Sequence, residues 1–192
     1  YALEKLGRTA PAADDLRWCI GPPLVHAFKV LLETEDEVTP AQAIQAYRER
    51  YTTVGKFENR VIGGIPQALE AFADAGYRLI VATSKPRSYT VDILDHFDLA
   101  RHFDAVHGSE LDGRNSEKAD LIRHIVRQEA VDPSAAVMIG DRMHDIVGAA
   151  ANGMASIGVL WGYGDRGELE DAGASRIAER PDELPGHAEA LL

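Results

Sequence analysis

A single cysteine, Cys19, stands among the 192 residues, so no internal disulfide forms and paired-cysteine metal ligation is excluded. That scarcity fits a reducing compartment. Long apolar runs are missing too. No stretch approaches the roughly 18 residues of a membrane span, and Tyr1 to Arg8 lack the apolar core of a signal peptide. The expectation is a soluble, cytoplasmic protein. Positive charge is scarce: 20 Lys and Arg oppose 31 Asp and Glu, a formal net charge of −11. Such a surface repels nucleic acid and anionic membrane. A small anion can still be held by local cations and helix N-termini. There is no Walker loop, GxGxxG or GxSxG. The seven histidines show no metal-ligand spacing, internal repeats are absent, and no pattern specifies an oligomeric state.

What is present is ordinary for a globular domain: 45% hydrophobic and 27% charged residues. The length suits one core with a small accessory domain. Residues 1–62 carry helical patterns and no strand. Leu24, Phe28, Leu31 and Leu32 recur at helical spacing, as do Ala43, Ala46, Tyr47 and Tyr51 after the cap-like Thr39-Pro40. Gly21-Pro22-Pro23 breaks the first of these from what precedes it.

From Gly63 onward strands and helices alternate. Helix is expected over 65–75, 86–97, 117–130, 146–152 and 168–172. Strand is expected over 78–82, 105–107, 136–139, 155–160 and 176–178. Alternation implies an α/β fold with a parallel, Rossmann-like sheet and helices on both faces. In such sheets the site lies at the carboxyl ends of the strands.

Three segments at those ends carry chemistry. Leu79 to Ala82 lead into Thr83-Ser84-Lys85-Pro86. A hydroxyl there, followed by N–H groups entering a helix, cradles a phosphoryl oxygen; alternatively Thr83 and Ser84 cap the helix. Ala136 to Ile139 lead into Gly140-Asp141-Arg142-Met143-His144-Asp145. Asp141 is placed to hold a hard cation such as Mg²⁺, or is a loop carboxylate in water. Asp145 is a second or water-mediated ligand, or the N-cap of the next helix. Lys118 follows Ser116, which looks like an N-cap, so Lys118 falls in a first turn where a cation opposes the helix dipole. It is either a solvated surface lysine or a fixed charge for a phosphate. Trp18 and Trp161 read as packing residues, and Gly162-Tyr163-Gly164 as a loop after a strand.

The order of these segments resembles motifs two, three and four of the haloacid dehalogenase superfamily, on Val81 to Pro86, Lys118, and Gly140 to Asp145. Within it the chain resembles the phosphoglycolate phosphatase-like branch, which includes proteins described as 5′-nucleotidase-like; Gly108 to Gly113 and Ile157 to Gly164 also look like that branch. The resemblance implies a Mg²⁺-dependent phosphatase acting on a small phosphorylated metabolite through an aspartyl-phosphate. Thr83, Ser84 and Lys118 would bind the phosphoryl group, Thr83 and Lys118 would serve catalysis, and Asp141 and Asp145 would serve the metal. It also implies a helical cap over 1–62 and a core over 63–192, with Gly63-Gly64 as hinge and the Ile20-Gly21-Pro22-Pro23 loop reaching the site. The first motif, Asp-x-Asp-Gly-Thr, occurs nowhere; Leu111-Asp112-Gly113-Arg114 lacks the first aspartate. Since Tyr1 to Gly7 read as the end of a helix, a preceding strand with the nucleophile is expected. A phosphomutase, a metal-free dehalogenase and a non-catalytic binding module remain alternatives.

Overall fold

The computed structural model describes residues 1–20 and 24–192. Gly21, Pro22 and Pro23, expected to break a helix and to form part of the segment reaching the site, lie outside the described residues. The chain divides into two compact units, Tyr1–Arg60 and Val61–Leu192.

The first unit is helical: α1 (Ala2–Lys5), α2 (Leu24–Leu32) and α3 (Val38–Tyr51). Its core is built from Ala2, Leu3, Phe28, Leu32, Ala43 and Ala46. Phe28 and Leu32 share a face of α2 because they are one turn apart. The Phe28 ring meets Tyr47 edge-on, with centroids 6.4 Å apart. Thr39-Pro40 lie inside the first turn of α3 rather than capping it. Asp36 takes that role, accepting the Thr39 N–H at 2.7 Å. Hydrogen bonds from the Thr34 hydroxyl and then from Thr39 hold the Asp36 carboxyl down at about 2. Trp18, expected to pack, is 38% exposed.

The second unit is the expected α/β fold, in the order α4 (Ile65–Asp74), β1 (Ile80–Pro86), α5 (Arg87–His96), β2 (Ala105–Ser109), α6 (Lys118–Gln128), β3 (Val137–Gly140), α7 (Met143–Ala150), β4 (Ala155–Val159), α8 (Arg166–Asp171), β5 (Arg176–Ala178) and α9 (Leu184–Glu189). Every pairing is parallel, with Ile80 opposite Ala105, Val137 opposite Ala155 and Ile157 opposite Arg176. Helices cover both faces. Ala68 and Phe72 of α4 and Leu184 and Ala188 of α9 pack with Ile157, Val159 and Ala178, joined by Val137, Ile139 and Trp161. On the other face Ile122 of α6 and Ala149 of α7 pack with Met138 and Ala82. Val137 and Ile139 point one way and Met138 the other, as strand geometry requires.

The strands form two pieces, β1-β2 and β3-β4-β5. An apolar slot of about 320 Å³ lies between β1 and β3, lined by Leu79, Ile80 and Ala82 on one side and Val137, Met138 and Ile139 on the other. Phe72 and Ala188 close it from one helical layer and Ile122 and Ile125 from the other. Burial follows this gap. β4, paired on both sides, is buried over four of its five residues, whereas β1 has no buried residue.

Several bounds differ from the sequence reading, for non-local reasons. β1 continues through Thr83-Ser84-Lys85-Pro86 because Pro86 pairs with Ser109 after a register shift. Gly108 permits this approach, since a Cβ there would stand 2.4 Å from the Lys85 carbonyl oxygen. The helix expected at Ile146 begins at Met143, whose N–H donates to Glu168 at 2.8 Å. That cap comes from 25 residues away. Ser116 does not cap α6; Glu117 occupies the cap position without a side-chain bond.

Candidate active site

The carboxyl ends of β1 and β3 face the N-termini of α6 and α7, and one side chain ties them together. Lys118, the first residue of α6, donates from Nζ to the Ala82 carbonyl at 2.8 Å. The same Nζ lies 2.8 Å from Asp145 Oδ1, and the two side chains are only 10% and 9% exposed. The solvated-lysine alternative is therefore excluded. Nor does Asp145 cap a helix starting at Ile146: it is the third residue of α7, and its Oδ2 accepts the Arg142 N–H at 3.2 Å.

Two glycines make this pairing possible. A Cβ on Gly140 would stand 2.3 Å from Asp145 Cβ, and one on Gly148 would stand 2.8 Å from Lys118 Cγ. Backbone approaches this close exclude any other residue without rearrangement.

Thr83 and Ser84 sit on the residues that follow the Ala82 carbonyl. Neither caps α5, which starts after Pro86 without a side-chain cap bond. Thr83 Oγ1 accepts the Lys85 N–H at 3.1 Å, and the Ser84 carbonyl accepts the Ser109 hydroxyl at 2.8 Å. The local turn leaves the Thr83 hydroxyl hydrogen available to an acceptor.

Asp141 follows β3 directly. Its Oδ2 accepts the Tyr163 N–H at 2.8 Å, and its carbonyl accepts the Gly164 N–H at 2.9 Å. Its Oδ1 accepts no hydrogen bond from a described residue. Gly162-Tyr163-Gly164, read from sequence as a plain loop, is thus the cradle of the Asp141 carboxylate. Glu168 is a further positioning residue that sequence reasoning missed. Its Oε1 receives both Arg142 Nε and the Met143 N–H at 2.8 Å. Burial pushes the Glu168 carboxyl up, but the Arg142 hydrogen bond and the Met143 N–H outweigh it and hold the group below its ordinary 4.5. The only local signal was its place behind the helix cap Asp165.

All five sequence-predicted residues thus meet through one chain of contacts, running from Thr83 and Ser84 past the Ala82 carbonyl to Lys118, Asp145 and the loop of Asp141. Among the described residues no group of three or more His, Cys, Asp or Glu is placed to hold a metal. The donor set still suits Mg²⁺, which takes hard oxygen ligands and is commonly held by one or two carboxylates, waters and substrate phosphate. Asp141 Oδ1 is the oxygen available for it. No described residue near Lys118 is a nucleophile with an adjacent base.

Known proteins resemble this chain in sequence and in fold. A Pseudomonas aeruginosa protein named 5′-nucleotidase is 46% identical over 171 residues, covering 88% of this chain and 76% of its own. The tyrosine-protein kinase PtkA of Mycobacterium tuberculosis is 34% identical over 191 residues, and the chain spans 64% of its length. The crystal structure of a predicted phosphatase from Clostridium acetobutylicum superposes with a TM-score of 0.94 at 41% identity, covering 100% of this chain and 88% of that one. Among the described residues no helix is long and apolar enough to cross a membrane. The model of the haloacid dehalogenase-like hydrolases matches residues 1–159, and the chain belongs to that family.

Proposed function

We propose that the protein is a Mg²⁺-dependent phosphatase acting on a small phosphorylated metabolite, of the phosphoglycolate or nucleoside monophosphate kind. The observation that carries this is the burial of Lys118 between the Ala82 carbonyl and Asp145. A protein sequesters such a charge at the functional edge of a sheet where it stabilises developing negative charge. Thr83 and the backbone after it, together with Lys118, hold the phosphoryl oxygens. Asp141 offers Oδ1 to Mg²⁺, which when bound neutralises charge on the transferring group. Asp145 acts behind them, holding the Lys118 ammonium in place.

None of these groups attacks phosphorus. In this reading the slot between β1 and β3 receives a further parallel strand that brings a carboxylate to the same edge. That carboxylate attacks phosphorus, the ester P–O bond breaks, a second carboxyl group in its protonated form gives its proton to the departing alkoxide, and the carboxylate so formed takes a proton from the water that then cleaves the acyl phosphate. The unpaired edges and apolar lining of the slot support the strand, since open central edges are otherwise avoided. The helical unit, residues 1–62 in this reading, is the cap that selects the leaving group, with Gly63-Gly64 as its hinge.

The open oxygen of Asp141 favours metal-assisted phosphoryl transfer over the metal-free dehalogenase alternative. A phosphotransferase reading is kept alive by the relative named as a kinase; there the acceptor is a hydroxyl in place of water. Assay of inorganic phosphate release from a panel of small phosphomonoesters in Mg²⁺ buffer, by the protein together with the strand that brings the nucleophile, tests the proposal. Release from at least one is expected. No release from any, with transfer to an added alcohol instead, would replace phosphatase by phosphotransferase.

A further inference from the structure

Away from this site, a groove of about 500 Å³ runs along the exposed stripe of α6, lined by Arg114, Asn115, Arg123, His124, Arg127 and Gln128. On a chain of net charge −11, three arginines and a histidine meeting in one concavity is contrary to the general trend of the surface. Asp120 also lines the groove and pairs with Arg123 at 2.6 Å. Arg114 is held by Asp112, outside the lining, at 2.9 Å. Each of these guanidinium groups keeps donors beyond its single carboxylate contact, because the fork carries five. Arg127 has no partner among the described residues, and the amides of Asn115 and Gln128 form no hydrogen bond there. Behind the groove the His124 ring meets His107 edge-on with centroids 5.7 Å apart. His107 is fixed by Glu129 at 2.7 Å, so His124 has a rigid backing.

A cation in the last turn of a helix is favoured by the dipole, and that alone would account for Arg127. It does not account for Arg114 and Asn115, which reach the same groove from the loop before α6. Arg123 and Arg127 are one turn apart, with Cβ atoms about 5–6 Å from each other, and Arg114 extends the row. We propose that this groove binds a linear condensed phosphate, a triphosphate chain either free or as the tail of a nucleotide. Arginine forks match phosphate oxygens in pairs, and a row of them matches a chain of phosphates better than a single one. His124 is the only ring in the lining, so a nucleobase adds little and both forms of the chain bind alike. Nucleic acid, which shares the phosphate chemistry, is opposed by the net charge of −11 of the chain.

Isothermal titration with inorganic tripolyphosphate and with adenosine triphosphate, in excess chelator so that Mg²⁺-dependent binding elsewhere is silent, tests this. Both should bind with similar affinity, and binding should weaken as salt rises. Arg127→Glu should weaken both by roughly tenfold or more, the scale of a lost charged hydrogen bond plus a new repulsion, while leaving hydrolysis of a simple phosphate ester unchanged. Arg127→Gln, which keeps the polar head and helix propensity, should give a smaller loss in the same direction and guards against a folding defect. Unaltered binding in a folded Arg127 variant, or no binding by wild type, would overturn the proposal. Much tighter binding of single-stranded nucleic acid than of tripolyphosphate would overturn it as well, and would assign the groove to a macromolecule.

Discussion

Lys118 is where local sequence misleads most and the structure informs most. By position it is an unfavourable first-turn cation, whose removal would relieve the helix dipole. In the structure it neutralises the buried Asp145 carboxylate and satisfies the Ala82 carbonyl. Lys118→Met should therefore cost stability, on the order of 3–5 kcal/mol for a buried carboxylate left unpaired, as well as activity. Pairing it with Asp145→Leu removes the orphaned charge. The double variant should recover part of the stability in urea unfolding while turnover stays lost. Recovery of both would mean that Lys118 only holds the fold. The residues of the site were legible because strand ends followed by hydroxyls, acids and glycines are a local pattern. Their partners, Tyr163 on Asp141 and Glu168 on Arg142 and Met143, lie more than twenty positions away and leave no local trace.

At the scale of elements, the sequence reading recovers every strand of the second unit and every helix except the short α9 (Leu184–Glu189), because buried runs such as Ile157 to Val159 and amphipathic runs such as Leu121, Ile122 and Ile125 are periodic. Starts fail where a cap is non-local. The start of α7 is clamped by Glu168, and this has a pH signature. A carboxyl held below its ordinary 4.5 in the folded state contributes stability that is fully present above that value and is lost as pH falls through the lower folded value. The stability gap between wild type and Glu168→Gln should be constant near neutrality and shrink in acid melts below pH 4.5. A gap that widens in acid would contradict the clamp. Gly148 couples α7 to α6. Helix propensity alone makes Gly148→Ala stabilising by about 1 kcal/mol. With a Cβ 2.8 Å from Lys118 Cγ, the substitution should instead lower turnover without raising the unfolding midpoint.

For the whole molecule the main feature is the divided sheet. Alternating strands and helices imply that the sheet is parallel, but strand order and a gap between β1 and β3 are tertiary facts that periodicity does not carry. The slot predicts that residues 1–192 by themselves bind a hydrophobic dye and associate, since apolar lining and unpaired strand edges are exposed together; a dye-silent, sharply melting monomer would argue against an added strand. The central claim is that Asp141 presents a cation to a phosphoryl group steadied by Lys118. It is tested most directly by steady-state hydrolysis of an aryl phosphate by the protein together with the strand that carries the nucleophile, and by its Asp141→Ala variant, each with saturating Mg²⁺ and with excess chelator. The expected result is a fall in kcat of about a hundredfold or more in the variant, on the order of 3 kcal/mol of barrier, and loss of wild-type turnover in chelator. Undiminished turnover by either the variant or the chelated wild type would contradict it.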